Sequence, residues 1–285
     1  MQKIKAFLQL MRFDRPIGIF LLLWPIEWGL WIAAHGLPQK SLFFIFTTGV
    51  IIMRAAGCII NDLADQCFDG HVKRTQQRPL ITGSVKPRAA FILFIVLCLM
   101  GLGLVLLLNR FTLYLAILAL SLSVLYPFMK RFIYFPQLIL GIAWYIGILM
   151  TFSATQGHLS LNAWLLYLSG ILWVLAYDTM YAMADRVEDL KIGVKSTAIL
   201  FETYDRLIVG IFQILTLSIL MLIGMLNHLA FSFYLGLAVA GLFFIYQQWL
   251  IRTREPRACL NAFLNNHWVG LSIFVGLFFS YTRVC

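Results

Sequence analysis

Two short acidic segments, residues 61–69 and 178–189, contain the side chains best suited to chemistry. Within each segment the aspartates recur at intervals of three, four or seven residues, which places them on one stripe of a helix. Stacked like charges repel one another unless a cation lies between them, so this spacing indicates metal binding. The aspartates are Asp62, Asp65 and Asp69 in the first segment and Asp178, Asp185 and Asp189 in the second.

Mg2+ is the metal that these segments favour. It takes oxygen ligands, retains waters and is commonly shared between one or two carboxylates and the phosphates of a substrate. Ca2+ needs more protein oxygens, and the sequence has no EF-hand spacing. One acidic segment alone is also typical of a solvated helix end, but two with the same geometry favour a site that handles a diphosphate.

The elements that must position these acids are membrane helices. Apolar residues make up 61% of the chain and charged residues 12%, and the mean hydropathy is +0.88, which is too apolar for a water-soluble globule. Nine apolar segments of about 17–21 residues are long enough to cross a hydrocarbon core as helices. They are centred on residues 17–34, 41–60, 90–108, 111–128, 132–152, 162–180, 207–226, 230–250 and 268–282.

The basic residues between these segments fall mainly on one side. With the N-terminus in the cytoplasm, the inner loops collect most of the lysines and arginines, and the opposite side receives Lys40, Arg110 and Arg283. This asymmetry predicts a cytoplasmic N-terminus and places both acidic segments at the cytoplasmic face. Membrane topology and lipid headgroups account for the net charge of +10, so no nucleic-acid partner is expected.

A weak internal repeat connects the two acidic segments. Each follows an apolar span and precedes a basic loop, and four predicted spans between them return both to one membrane face. We therefore expect a single membrane-embedded domain, residues 1–285, composed of two pseudo-repeats. Guanidinium and ammonium groups near the acids are suited to phosphate oxygens. These residues are Lys73, Arg74, Arg78, Lys130, Arg131 and Lys195.

Five motifs are distributed in order along the chain. They are Arg12–Gly18, Asn61–Asp69 with Arg78-Pro79-Leu80, Tyr126–Arg131, Tyr177–Asp185 with Gly193–Ala198, and Asn265-Asn266 near Trp268. Together they resemble the UbiA superfamily of intramembrane prenyltransferases, over essentially the whole chain. The resemblance implies an all-α integral membrane protein with nine transmembrane helices around a central cavity. It also implies transfer of a polyprenyl group from its diphosphate to the ring carbon ortho to the hydroxyl of 4-hydroxybenzoate, in ubiquinone biosynthesis.

The resemblance implies roles for individual residues as well. The metal-facing residues would be Asn61, Asp65, Asp185 and Asp189, with Mg2+ bridging to the diphosphate. Three further acids would stand nearby in catalytic positions, namely Asp62, Asp69 and Asp178.

An ionising allylic diphosphate adds further expectations. The acceptor's carboxylate needs a cationic partner, for which we expect Arg131, and Asp178 would assist loss of the proton. Phosphate contacts would come from Lys73, Arg74, Arg78, Lys130 and Lys195, and aromatic faces for the allylic cation from Tyr126, Tyr177 and Tyr181.

Two alternatives stay open from the sequence. Another UbiA-type reaction, with a menaquinone, haem O or lipid acceptor, fits the same acids, since the acceptor follows from the resemblance alone. A secondary transporter also has repeats and intramembrane acids, although its site would lie near the bilayer midplane rather than at one face. In either enzyme reading we expect a bacterial inner-membrane protein whose active site faces the cytoplasm.

Overall fold

The computed structural model describes residues 2–66, 75–129 and 131–282, and all of its regular structure in these ranges is helical. The helices are α1 (Gln2–Leu10), α2 (Ile17–Ala33), α3 (Lys40–Ala64), α4 (Pro87–Val105), α5 (Arg110–Met129), α6 (Pro136–Gln156), α7 (Leu161–Ile192), α8 (Thr197–Phe201), α9 (Asp205–Leu226), α10 (Phe231–Leu250) and α11 (Pro256–Thr282). Short 3-10 turns at Glu202–Tyr204 and Ile251–Thr253 precede α9 and follow α10.

The long helices form a membrane domain. Within the described ranges, eight helical stretches of at least 18 residues are apolar enough to cross a membrane, and α2 is a shorter apolar helix. Because a helix satisfies its backbone hydrogen bonds internally, it is the structure that such apolar runs adopt in lipid. The nine predicted segments are confirmed, and the chain is an integral membrane protein.

Helices α2 and α7 lie at the centre of the packing. Helix α2 packs against α3, α6, α7 and α11, and α7 also packs against α6, α9 and α11. Between them Trp28 and Trp173 stack with ring centroids 5.5 Å apart, and both are fully buried. Large apolar side chains such as Leu107 and Phe231 are instead 71% and 79% exposed, which suits a surface that faces lipid tails.

Helix α7 is longer than the apolar pattern predicts. It continues to Ile192, well past the expected end at residue 180, because polar residues extend the same helix beyond the apolar stretch. Gly193 then ends it with a left-handed φ of 71°, and its N–H donates to the Asp189 carbonyl. The whole second acidic segment therefore belongs to one continuous helix.

Helices α10 and α11 approach closely where two glycines meet. A Cβ added to Gly236 would lie 2.6 Å from the Ser272 carbonyl oxygen and 3.1 Å from the Cα of Gly276. A Cβ added to Gly276 would lie 2.8 Å from the Ser232 carbonyl oxygen. Since backbone atoms form these contacts, no side-chain rotation relieves them, and the two helices depend on both glycines.

We expect Gly236→Ala to lower the thermal stability of the protein by about 1–3 kcal/mol, because the helices must separate to admit the methyl group. The measurement is the midpoint of thermal unfolding in detergent. Gly241→Ala in the same helix is the control, since its Cβ would meet only Leu217 Cδ1 at 3.7 Å and alanine favours helix. An equal loss of stability in both variants would contradict the close-packing explanation.

Candidate active site

A polar cavity opens at the end of the bundle where α3 and α5 end and α6 begins. Its volume is about 160 Å³, and α7 provides a full wall of it. The residues that line it are Asn61, Asp65, Thr75, Arg78, Tyr126, Pro136, Gln137, Asp178, Tyr181, Ala182, Asp185, Asp189, Ile192, Val194, Lys195 and Ser196. Carboxylates from α3 and α7 thus share one compartment with a guanidinium and an ammonium group.

The α7 wall carries the second acidic segment. Asp178, Asp185 and Asp189 all line the cavity, together with Tyr181. Their spacing of seven and four residues returns each side chain to the same side of the helix. The sequence analysis selects five residues on this helix. Four of them line the cavity, and the fifth, Tyr177, does not.

The first acidic segment divides between two environments. Asn61 and Asp65 line the cavity, whereas Asp62 is not among the lining residues. Only 2% of Asp62 is exposed, and its carboxylate accepts hydrogen bonds from Arg12 at 2.8 and 2.9 Å. Arg78 Nη1 lies 3.1 Å from the same carboxylate.

This arrangement corrects the expectation of a single stripe through Asp62, Asp65 and Asp69. Helix α3 ends at Ala64 with Asp65 as its C-cap, and Asp69 lies outside the described residues. Adjacent residues on a helix point about 100° apart. Asn61 rather than Asp62 therefore shares the cavity face with Asp65. Asp62 holds Arg78, which does line the cavity, so its contact with the site is indirect.

The two basic residues of the cavity are held by neighbours. Lys195 Nζ donates to the Phe132 carbonyl at 3.0 Å and lies 5.0 Å from the centre of the Tyr134 ring. These contacts join the segment after α7 to the loop between α5 and α6. Three other expected phosphate ligands, Lys73, Arg74 and Lys130, lie outside the described residues.

Arg131, the residue expected beside the acceptor, is not among the described residues that line the cavity. Its Nη2 donates to the Ala64 carbonyl at 2.7 Å, and its Cζ is 5.3 Å from the centre of the Phe128 ring. The last carbonyls of a helix lack intrahelical partners and carry partial negative charge, so they attract a cation. Arg131 therefore caps the end of α3.

The three tyrosines selected from the sequence also separate. Tyr126 and Tyr181 line the cavity, whereas Tyr177 is 1% exposed and packs in the core. Its hydroxyl lies 3.5 Å from that of Tyr145, and its ring meets Trp173 edge-on with centroids 5.5 Å apart. Tyr177 therefore packs α7 against α6 through Tyr145 and does not face the cavity.

Arg54 is a site residue that the sequence analysis missed. It lies in the middle of α3, where its Nη1 donates to Cys58 Sγ at 2.8 Å and its Cζ is 4.9 Å from the centre of the Trp144 ring. Its charge acts on Asp178, which lines the cavity, whereas Arg54 is not itself among the lining residues. Its Nε is buried and makes no hydrogen bond to any described residue. A guanidinium at this depth is a candidate for binding an anion.

The spacing along α3 contains a signal for this residue. Arg54 precedes Asn61 by seven residues, so the two lie on the same stripe about 10 Å apart along the axis. Cys58 and Asp65 belong to the same stripe. This stripe of α3 therefore runs from a half-buried arginine to the two polar residues at the helix end, which line the cavity.

The donor chemistry of the cavity fits Mg2+. Asn61, Asp65, Asp185 and Asp189 offer only oxygen ligands, two from each side of the cavity. Among the described residues, no three His, Cys, Asp or Glu side chains come together as a metal centre of their own. Mg2+ commonly uses one or two carboxylates together with waters and substrate phosphates, which a divided set of this kind provides.

The fold and the cavity together define an all-α integral membrane protein with a carboxylate-lined polar site at one end of its helices. The model of the UbiA prenyltransferase family matches residues 22–276, and the chain belongs to this family.

Curated relatives and solved structures agree with this family. The chain is 57% identical over 270 residues to a 4-hydroxybenzoate octaprenyltransferase of Pseudomonas aeruginosa, covering 95% of this chain and 91% of the relative. It is 55% identical over 271 residues to the enzyme so named from Alkalilimnicola ehrlichii, covering 95% and 92%.

Among solved structures, a UbiA homologue from Aeropyrum pernix in its apo form gives a TM-score of 0.80 at 24% identity, over 91% of this chain and 96% of the other. A homologue from Archaeoglobus fulgidus bound to GPP and Mg2+ gives 0.75 at 16% identity, over 98% and 99%. These two similarities establish the fold.

We expect Asp62→Ala to destabilise the protein by about 2–4 kcal/mol, because removing the acid from a buried ion pair leaves its basic partners uncompensated. The check is the thermal midpoint in detergent. Asp14→Ala is the matched control, since Asp14 is 42% exposed and 3.9 Å from Arg15, and surface pairs contribute about 0–1 kcal/mol. If both variants unfolded at the same temperature, the ion pairs of Asp62 with Arg12 and Arg78 would not contribute to the stability of the protein.

Proposed function

We propose that this protein transfers a polyprenyl group from a polyprenyl diphosphate to the ring carbon ortho to the hydroxyl of 4-hydroxybenzoate, as a step of ubiquinone biosynthesis. The observation that carries the proposal is a cavity in which Asn61 and Asp65 face Asp185 and Asp189, beside Arg78 and Lys195, in a chain closely related to 4-hydroxybenzoate octaprenyltransferases.

Asn61, Asp65, Asp185 and Asp189 would hold Mg2+ together with the diphosphate. When bound, the metal neutralises charge on the diphosphate and so assists its departure as a leaving group. Arg78 and Lys195 would bind phosphate oxygens that the metal leaves exposed. Asp62 keeps Arg78 in place for this purpose, so its role is to position rather than to react.

The reaction breaks the bond between the allylic carbon and the diphosphate oxygen and forms a carbon–carbon bond to the acceptor ring. Tyr126 and Tyr181 present aromatic groups at the cavity wall, which favour a cation by about 0.5–2 kcal/mol each. The ring carbon then loses its proton, and Asp178 is the base we assign to it, since of the α7 aspartates it lies farthest from the C-terminal end of the helix.

The acceptor's carboxylate needs a cationic partner inside the membrane domain. We assign this role to Arg54, whose buried Nε has no hydrogen-bond partner among the described residues, rather than to Arg131, whose Nη2 caps the end of α3. The charge of Arg54 acts on Asp178, so an acceptor bound to Arg54 would have the proposed base in its neighbourhood.

The same reasoning extends to the membrane orientation. The basic loops favour a cytoplasmic N-terminus, with the cavity opening to the cytoplasm, and the bacterial relatives favour an inner membrane. The cavity at one end of the bundle also favours a transferase over a secondary transporter, whose site would lie near the midplane.

Purified protein given geranyl diphosphate, Mg2+ and a panel of aromatic acceptors should prenylate 4-hydroxybenzoate, and a chelator should stop the reaction. Asp65→Ala and Asp185→Ala are expected to lower kcat/KM by about 100-fold or more, because each removes a group that stabilises the leaving diphosphate. Glu188→Ala is the matched control, since Glu188 belongs to the same acidic segment but does not line the cavity. The absence of product with 4-hydroxybenzoate would refute the proposed acceptor.

Arg54→Ala should raise the KM for 4-hydroxybenzoate by about tenfold or more, because a hydrogen bond to a charged group contributes about 1.5–3 kcal/mol. Arg131→Ala should change that KM by less than about threefold, as expected for an exposed helix cap. Initial rates over a range of 4-hydroxybenzoate at saturating geranyl diphosphate give both values. The reverse order of effects would return the acceptor role to Arg131.

A further inference from the structure

Three helices form a socket around the Arg54 guanidinium. Cys58 contacts it from the same helix, Trp144 lies beside it on α6, and Gly18 covers it from the first turn of α2. Gly18 is buried and belongs to the Arg12–Gly18 motif, whose glycine has no part in the proposed chemistry. We use the term Arg54 socket for Gly18, Cys58 and Trp144.

Gly18 provides space that no other residue type could leave. A Cβ at this position would lie 2.7 Å from Arg54 Cζ, and closer still to its Nε and Nη2. Real Cβ atoms do not approach other heavy atoms so closely, so any side chain at position 18 would force the guanidinium to move. The absence of a side chain at Gly18 is therefore a condition for the observed position of Arg54.

Cys58 and Trp144 contact the guanidinium on two further sides. The Cys58 sulfur accepts from Nη1 at 2.8 Å, and the Trp144 ring attracts the positive charge through its π-face. An arginine side chain otherwise has many rotamers, and fixing them before a ligand arrives reduces the entropy lost on binding. The socket thus presents a preorganised cation to an anionic ligand.

We propose that Gly18 and Cys58 are positioning residues that hold Arg54 for a carboxylate and so set the preference of the enzyme for benzoate acceptors over neutral phenols. This inference rests on the proposed function and on the assignment of Arg54 within it. Guanidinium groups bind carboxylates in a planar geometry, so displacement of Arg54 weakens this contact while leaving the aromatic ring of the acceptor unaffected.

The test compares 4-hydroxybenzoate with 4-hydroxybenzamide, which keeps the phenol but lacks the negative charge. The ratio of their kcat/KM values, measured with geranyl diphosphate and Mg2+, reports the contribution of the carboxylate. We expect Gly18→Ala to lower this ratio by about tenfold, the effect of losing one charged hydrogen bond. The KM for geranyl diphosphate should stay within about twofold, since the change lies apart from the diphosphate ligands.

Gly103→Ala on α4 is the matched control, because its Cβ would meet nothing within 4 Å. It should leave the ratio unchanged. Cys58→Ala removes the sulfur and should lower the ratio by about threefold or more, whereas Cys58→Ser keeps an acceptor and should preserve most of it. This second pair decides the question if Gly18→Ala does not yield folded protein.

The outcomes separate the two levels of the proposal. If the unmodified protein does not prenylate 4-hydroxybenzoate, the proposed function fails. If it does so but shows no preference over the amide, the assignment of Arg54 fails and the socket with it. If the preference exists and persists unchanged in Gly18→Ala or, where that variant does not fold, in Cys58→Ala, the socket alone is overturned.

Discussion

Repulsion between carboxylates in a membrane-embedded cavity is the interaction on which the rest of this site depends. Asp65 faces Asp178, Asp185 and Asp189 in surroundings where water screens charge poorly. The arrangement is stable only when positive charge balances it. Arg78, Lys195 and Arg54 supply part of that charge, and the remainder is what a divalent metal brings. The same imbalance makes the cavity suitable for a substrate that arrives with its own cation.

The membrane fold was largely predictable because its cause is local. Long apolar runs must become helices in lipid, and the segments predicted from them recur in the structure. The position of the α7 aspartates on one stripe was predictable for a similar reason, since residues four or seven apart lie on the same side of a helix whatever packs around it. The apolar pattern alone stops near residue 180, but the acidic spacing already predicts helix as far as Asp189, and Gly193 then ends α7 after Ile192.

The positions of site residues could be predicted only where they follow from the spacing within a single helix. The choice of Asn61 over Asp62 as the cavity-facing residue came from the family resemblance and not from the spacing, because the partners of Asp62, Arg12 and Arg78, are distant along the chain. Arg54 was missed because one charge within a long apolar segment hardly alters an averaged hydropathy. An arginine in the middle of a membrane helix, seven residues before Asn61, was nevertheless visible in the sequence and should be read as functional.

The two ion pairs of Asp62 set the sign of the local charge beside the cavity. One carboxylate with two guanidiniums forms a cluster of net charge +1, since Arg12 and Arg78 both pair with Asp62. An acidic residue of the first segment therefore lies at the centre of a positively charged cluster, although the cavity beside it is rich in carboxylates. The charge of this cluster partly offsets that of the cavity carboxylates, and added salt weakens such effects between exposed groups more than it weakens the buried ion pairs. Asp62 thus fixes Arg78 at the cavity without cancelling its charge, because Arg12 shares the pairing.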